Sequence, residues 1–424
     1  IHNNCVVGIM SRVGLIGSNS VEFIDKLLSI WNNNDSAVLI DYDTPAKAAA
    51  DMLSEVGADF CYVEDTIKDK YGVMSSFLTL TGYSVHNKMP CVLPNAVRDL
   101  YKPRYDESEA IVIYSSGTAG KHKGVSLSHR AINNNADSII DYMKPSSEDT
   151  LYLNKKMTHS SSLTGELLVS LKSAADVVLS QIVVPPRVAF KNIADFNVTI
   201  LCCNPTLIDH YVGEAERTQD FPESVKAVYT SGDVISKKAI DRARNAFKCP
   251  VYNVYGQTEC GPRITAQTKE HCSENSVGTP IKNVAIRISN QGEILVKSNS
   301  LFSGYTNSNA DTDEWHFTGD LGYFDSNGEL FVIGRIDNMI ILDAHNLYPE
   351  TIERIIIDNT GIDDCIIFKE NEKLVCEYVG AEQDIREITR KIKPLLMPYE
   401  LPKVYRRIAE IAKNKNGKKM RKSG

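Results

Sequence analysis

Between residues 13 and 65 the hydrophobic pattern switches period four times. It gives a strand (VGLIG), a helical run (NSVEFIDKLLSIWN), a strand (AVLIDYD), a helix entered through Thr44 and Pro45 (AKAAADMLSEVG), and a strand (DFCYVED). Strands joined through a helix run parallel, because a tight turn reverses the chain and a crossover does not. The opening is therefore βαβαβ and commits the chain to a parallel sheet with helices on its faces.

The alternation continues from 108 to 265: AIVIY, then SHRAINNNADSIIDYM with a serine placed to cap it, then VTILCCN, VKAVYTSG and VYNVYG. From 275 to 333 the pattern changes. VAIRIS, GEILVKS and GELFVIG are short β runs broken by Asn-Gln-Gly and Ser-Asn-Gly, the signature of a small antiparallel sheet or barrel. Beyond GRIDN, the MIILDAH strands and the amphipathic runs PETIERIIID and DIREITRKIKPLL suffice for a compact α+β unit of under 90 residues. The expected class is α/β: a large N-terminal domain (1–334) with a β-barrel-like subdomain, a hinge (335–338), and a small mobile α+β domain (339–424).

With 424 residues, 42% hydrophobic and 24% charged, the chain can bury a large core. Its formal net charge of -7 excludes a general nucleic-acid or membrane-surface binder, which needs a basic field. No run approaches the roughly 20 apolar residues of a membrane span. The start, IHNNCVVGIM, lacks the layout of a signal peptide, so a cytoplasmic location is expected. The 10 cysteines are scattered apart from Cys202 and Cys203, with neither a CxxC pair nor clustered histidines, which argues against a zinc site or a disulfide framework.

Chemistry concentrates in SSGTAGKHKG, Ser115 to Gly124, which holds three glycines, three hydroxyl residues and two lysines within ten positions. Such a loop lets backbone N–H groups, hydroxyls and cations approach a phosphate. It is not a Walker loop: only two residues separate Gly117 from Gly120-Lys121, and His122 stands where a magnesium-binding hydroxyl belongs. Four further stretches follow in order: YGQTE (255–259), GEILVKS with Gly304-Tyr305, FTGDLGYFDSNGELFVIGR (317–335), and DNMIILDAHNLYPETIE (337–353); NGKKMRK lies near the C-terminus. Together they resemble the adenylate-forming superfamily of acyl- and aryl-CoA synthetases, peptide-synthetase adenylation domains and luciferases. The resemblance runs over nearly the whole chain, and its interdomain hinge coincides with Arg335.

That resemblance implies ATP and Mg2+ as cofactors and assigns roles residue by residue. Ser115, Ser116, Gly117, Thr118, Gly120, Lys121 and Lys123 would hold the β- and γ-phosphates. Glu259, with the Thr118 hydroxyl, would ligate Mg2+. Tyr255 would stack on adenine with Gly256 beside it in the cofactor-binding set, Ser231-Gly232-Asp233 would form the adenine-side loop, and Thr258 would bond the α-phosphate. Asp320 would accept both ribose hydroxyls, Arg335 would support the ribose or phosphate, and Asp337 would absorb a domain rotation. Lys418 matches the C-terminal lysine that bridges the α-phosphate and the substrate carboxylate. The implied reaction joins a carboxylic acid to AMP with loss of pyrophosphate, then passes the acyl group to a phosphopantetheine thiol of CoA or of a carrier protein.

Three positions depart from the family pattern: Ala344 replaces a common glycine, Asn338 a frequent second acidic residue, and His122 a usual proline. In KMTHSSSLTGELLVSL, amino-acid-activating relatives place an Asp for the substrate ammonium, whereas here His159 precedes Ser160 to Ser162, which argues against an amino acid. His159 resembles a residue gating the acid channel, and a hydrogen-bonded core histidine reads equally well. ILCCNPTLIDHY and VYTSGDVIS should line the pocket, and their small polar and thiol side chains favour an aryl or short acyl acid. Two alternatives stay open: a binding module without catalysis, and an adenylating enzyme with a non-thiol acceptor.

Overall fold

The computed structural model describes residues 10–116, 122–181, 184–306, 308–309, 315–343, 345–413 and 419–421. The opening βαβαβ forms as expected. Strand Arg12–Gly17 lies centrally, pairing in parallel with Ser36–Asp41 on one side and Phe60–Glu64 on the other. The helix between the first two, Val21–Asn32, begins at Ser20, whose hydroxyl accepts from Phe23 N at 3.0 Å. It buries Phe23, Ile24, Leu27, Leu28, Ile30 and Trp31 against the sheet, each worth about 1.5–3 kcal/mol of transfer free energy. Asn34, at φ 64°, turns the chain out of it.

Two eight-stranded sheets make up the body of the large domain. The second runs through Val251–Tyr255, Ala227–Thr230, Ile200–Cys203 and Thr150–Leu153, parallel throughout, with further strands at both edges. A four-stranded antiparallel sheet, Val284–Ile288, Glu293–Ser298, His316–Phe324 and Leu330–Arg335, forms the expected third β unit. After the turn Ile336–Asn338, the small α+β unit contains helices Pro349–Asn359 and Ile385–Ile392 on a three-stranded sheet. It has its own core, including Leu347, Ile352, Ile356, Ile367, Leu374 and Ile392.

One expectation needs correcting. Instead of joining a strand to a helix, the Gly/Ser loop joins two antiparallel strands, Glu109–Ser116 and His122–Ser128, with Ser115 opposite Lys123 and Ser116 opposite His122. VSLS is strand, and the helix His129–Met143 starts only after Ser128 caps it by accepting from Ala131 N at 3.1 Å. Lys123 therefore belongs to a strand of a hairpin rather than to a helix N-terminus.

Candidate active site

Strand Val251–Tyr255 delivers the YGQTE stretch to the edge of the second sheet. At Gly256 a Cβ would sit 1.8 Å from Pro262 O, so only glycine lets the two backbone segments cross. The turn Thr258–Cys260 follows, and Gly261 at φ 91° bends the chain back. Asn135, inside helix His129–Met143, fixes this bend: its amide donates to Cys260 O (3.3 Å) and Arg263 O (2.9 Å) and accepts from Arg263 N (3.0 Å).

Register in the antiparallel sheet sets Asp320 opposite Arg335. The Asp320 carboxylate, buried at 6% exposure, collects three donors: Tyr255 hydroxyl (2.6 Å), Gln257 Nε2 (2.7 Å) and an Arg335 terminal nitrogen (3.1 Å). Gln257 and Arg335 also donate to Thr318 O, at 2.7 and 3.2 Å. Burial and the Asp320 carboxylate push the Tyr255 phenol well above its ordinary range. Burial opposes ionisation of Arg335, but Asp320 and Asp337 outweigh it and raise the guanidinium pKa. Asp337, in the turn after the sheet, lies 3.6 Å from Arg335.

Glu259 makes the second focus. Its Oε1 accepts from the Tyr305 hydroxyl at 3.2 Å, and its carbonyl accepts from Phe302 N at 2.9 Å. Strand Gly304–Tyr305 pairs with His122–Ser128, which brings the hairpin beside Glu259. The Lys123 ammonium lies 5.2 Å from the Tyr305 ring centroid. Gly117, Thr118, Gly120, Lys121, Ala344 and Lys418 lie outside the described residues, and Ser115 and Ser116 are described as backbone only.

A family model for AMP-binding enzymes matches residues 7–306. The chain belongs to the AMP-binding enzyme family. Bacitracin synthase 2 of Bacillus licheniformis is 24% identical over 96% of this chain, which spans only 16% of that protein. The 2-succinylbenzoate–CoA ligase of Lactococcus lactis is 23% identical, with 97% of this chain and 90% of the ligase covered. The solved structure of o-succinylbenzoate coenzyme A synthetase from Bacillus subtilis, with ATP and magnesium, superposes at TM-score 0.79 with 21% identity over 96% of this chain and 88% of that one.

Thr258 Oγ1 lies 3.0 Å from Ser160 Oγ, tying the YGQTE turn to the start of the segment after His159. Burial lowers the His159 pKa, with Lys156 and Lys155 adding to the effect and Asp41 and Asp43 opposing it. Ser231 N donates to Cys203 O at 3.1 Å, Gly232 takes φ 104°, and Asp233 Oδ1 accepts from Val234 N at 2.8 Å, so this loop sits at the ends of the central strands. Sequence reasoning overlooked Gln257, although it lies inside a quoted motif. It also overlooked two charged residues that fold inward: Glu166 at 1% exposure and Arg263 at 3%. The only signal for Glu166 was a lone carboxylate in the apolar run LTGELLVSL.

Proposed function

We propose that this protein activates a carboxylic acid with ATP, forming an acyl-adenylate and pyrophosphate, and then passes the acyl group to a phosphopantetheine thiol. One observation carries the reading: Asp320, held by Tyr255, Gln257 and Arg335, and Glu259, held by Tyr305, come from separate motifs yet converge beside the glycine-rich hairpin. A carboxylate with three converging donors suits a diol, because each ribose hydroxyl can exchange for one donor without leaving the charge unsolvated.

Adenylation brings two anions together, so its main demand is charge neutralisation. Lys123 and the hairpin hydroxyls and amides face the phosphates in this reading, and Thr258 the α-phosphate. Glu259 fits Mg2+, which prefers one or two carboxylates plus phosphate oxygens and water. When bound, Mg2+ would draw charge from the phosphate oxygens. Lys418, in the small unit, would bridge the α-phosphate and the acid carboxylate. Asp337 would take up the rotation that exchanges this lysine for the face around Asp343 and Asn346 during thiol transfer.

Acid-dependent exchange of labelled pyrophosphate into ATP, across aryl, short-chain, long-chain and amino acids, tests the first step. Exchange with an aryl or short acyl acid supports the reading; ATP binding with no exchange for any acid supports a non-catalytic module. Lys418→Ala should abolish exchange and spare thioester formation from supplied acyl-AMP. Equal loss of both halves defeats that role. Assaying CoA against a phosphopantetheinylated carrier protein identifies the thiol, and AMP release with neither points to a non-thiol acceptor.

A further inference from the structure

Arg263 has no evident use in folding. It is 3% exposed, forms no salt bridge among the described residues, and its Nε is buried without a hydrogen-bond partner. Its backbone is clamped by Asn135, which presets the direction of the side chain. The guanidinium lies over Gly165, where a Cβ would come within 3.3 Å of a terminal nitrogen, so this glycine makes room for it. Near it lies an inward-facing charge pair, Lys155 Nζ with Glu166 Oε1 at 2.6 Å. Two cations against one carboxylate leave an excess of one positive charge in the interior.

The surroundings are polar rather than greasy. Thr164 Oγ1 and Glu166 Oε2, either side of Gly165, and Ser162 Oγ in the same segment are buried and lack a hydrogen-bond partner among the described residues, and the Tyr142 hydroxyl is close enough to interact with Arg263. An uncompensated buried charge beside unsatisfied dipoles weakens a core, so folding alone does not account for the set. Its position offers another account. Ser162, Thr164 and Glu166 continue the segment that Ser160 ties to Thr258 at 3.0 Å, and Arg263 lies five residues beyond Thr258. Cys202, which interacts with Glu166, Lys155 and Arg263, precedes the Cys203 carbonyl that holds Ser231. The cluster thus lies beside the Thr258 turn and the strand ends that carry Ser231, where the acid-activation reading puts the acid and the nucleotide.

We propose that the acid carries a second anionic group at its far end and that Arg263 receives it, with the Lys155–Glu166 pair and the neighbouring hydroxyls completing the pocket. This rests on the acid-activation reading and narrows it to dicarboxylic acids. An arginine fork matches a carboxylate with two parallel hydrogen bonds, and the missing negative charge is the one such a substrate brings.

The test compares matched probes, terephthalate against benzoate and adipate against hexanoate, in pyrophosphate exchange and in direct calorimetric binding. The wild type should prefer the dicarboxylate of at least one pair. Arg263→Met should reduce that preference about 30-fold or more. Arg263→Lys should restore part of it, and thermal melts should show that both variants fold. A purely structural arginine would change activity towards both members of a pair alike and leave their ratio intact. A wild-type preference for the monocarboxylates, or a ratio unmoved by Arg263→Met, overturns the proposal while leaving acid activation standing. Dicarboxylate binding that depends on Arg263, with no exchange for any acid, supports the pocket and defeats the activation reading. Absence of dicarboxylate binding overturns the pocket.

Discussion

Asp320→Ala is the sharpest perturbation of the nucleotide side. In the free protein it removes the acceptor of three donors, at 2.6, 2.7 and 3.1 Å. Arg335 is partly exposed and already lies 3.6 Å from Asp337, and Gln257 keeps Thr318 O, so the cost to folding should be only about 1–2 kcal/mol. The nucleotide complex loses more. Hydrogen bonds to a charged group contribute about 1.5–3 kcal/mol each, so losing two from ribose should cost at least about 3 kcal/mol, or about 100-fold in kcat/KM for ATP. Asp320→Asn keeps the shape, loses the charge and should fall about 10-fold. Exchange at saturating acid with varied ATP, AMP binding by calorimetry, and a melt for each variant separate these terms. A KM for ATP within about twofold of wild type in a folded Asp320→Ala protein would refute the ribose assignment and leave Asp320 as an organiser of the Tyr255–Arg335 contact.

Gly256→Ala should destabilise the fold by about 3 kcal/mol or more, because its Cβ would meet backbone at Pro262 O, 1.8 Å away, and backbone there cannot swing aside; a melt close to wild type would count against this crossing. Tyr305→Phe removes the donor that orients Glu259 and should raise the Mg2+ needed for half-maximal exchange about fivefold, roughly 1 kcal/mol, read from a magnesium titration. Glu109, paired with Arg12 at 2.7 Å, has a depressed pKa: burial pushes it up, but Arg12, Ser126 and Ser36 outweigh that. Its contribution is thus present above the ordinary carboxylate value of 4.5 and lost as pH falls through the lower folded value, so Glu109→Gln should flatten the acid limb of a stability profile measured from pH 6 down to about pH 3.

Much of this arrangement was legible because local rules and global fold agree. The period switches over residues 13 to 65, the Ser20 and Ser128 caps and the turn-punctuated β runs all require the elements that form. The family resemblance of the ordered motifs likewise brought Tyr255, Glu259, Asp320 and Arg335 into consideration together. What stayed hidden depends on long-range contact. VSLS could extend a loop or become a strand, and the choice was made by pairing with Glu109–Ser116 and Gly304–Tyr305. Arg263 was overlooked because nothing in its local sequence signals Asn135, more than a hundred residues earlier, clamping its backbone. Glu166 similarly needed Lys155 and the surrounding hydroxyls to become part of a polar pocket.

Lys419, next in sequence to the lysine proposed to act in adenylation, has a structural role of its own. Lys413 bridges Lys419, and Met420 N donates to Ala412 O at 2.8 Å, so the ends of segment 414–418 are held together. Lys419 is driven inward: its ammonium lies 2.6 Å from Asp364, 2.6 Å from Cys365 O and 3.5 Å from Glu353. Burial lowers its pKa, but Glu353 and Asp364 more than reverse this, so its stabilisation is complete below the ordinary lysine value of 10.5 and lost only as pH rises through a higher folded value. Arg421 adds a clasp on Glu353 at 2.7 and 3.0 Å. Lys419 therefore acts as a structural anchor, and the catalytic role proposed for Lys418 is tested separately from it. Lys419→Met should lower the melting temperature of the small unit by leaving Glu353 and Asp364 short of a cation, a loss of about 3 kcal/mol, with exchange falling in proportion to unfolding. Lys418→Ala should leave the melt unchanged and abolish exchange. If Lys419→Met instead abolished exchange without lowering the melt, the two lysines would have to trade roles.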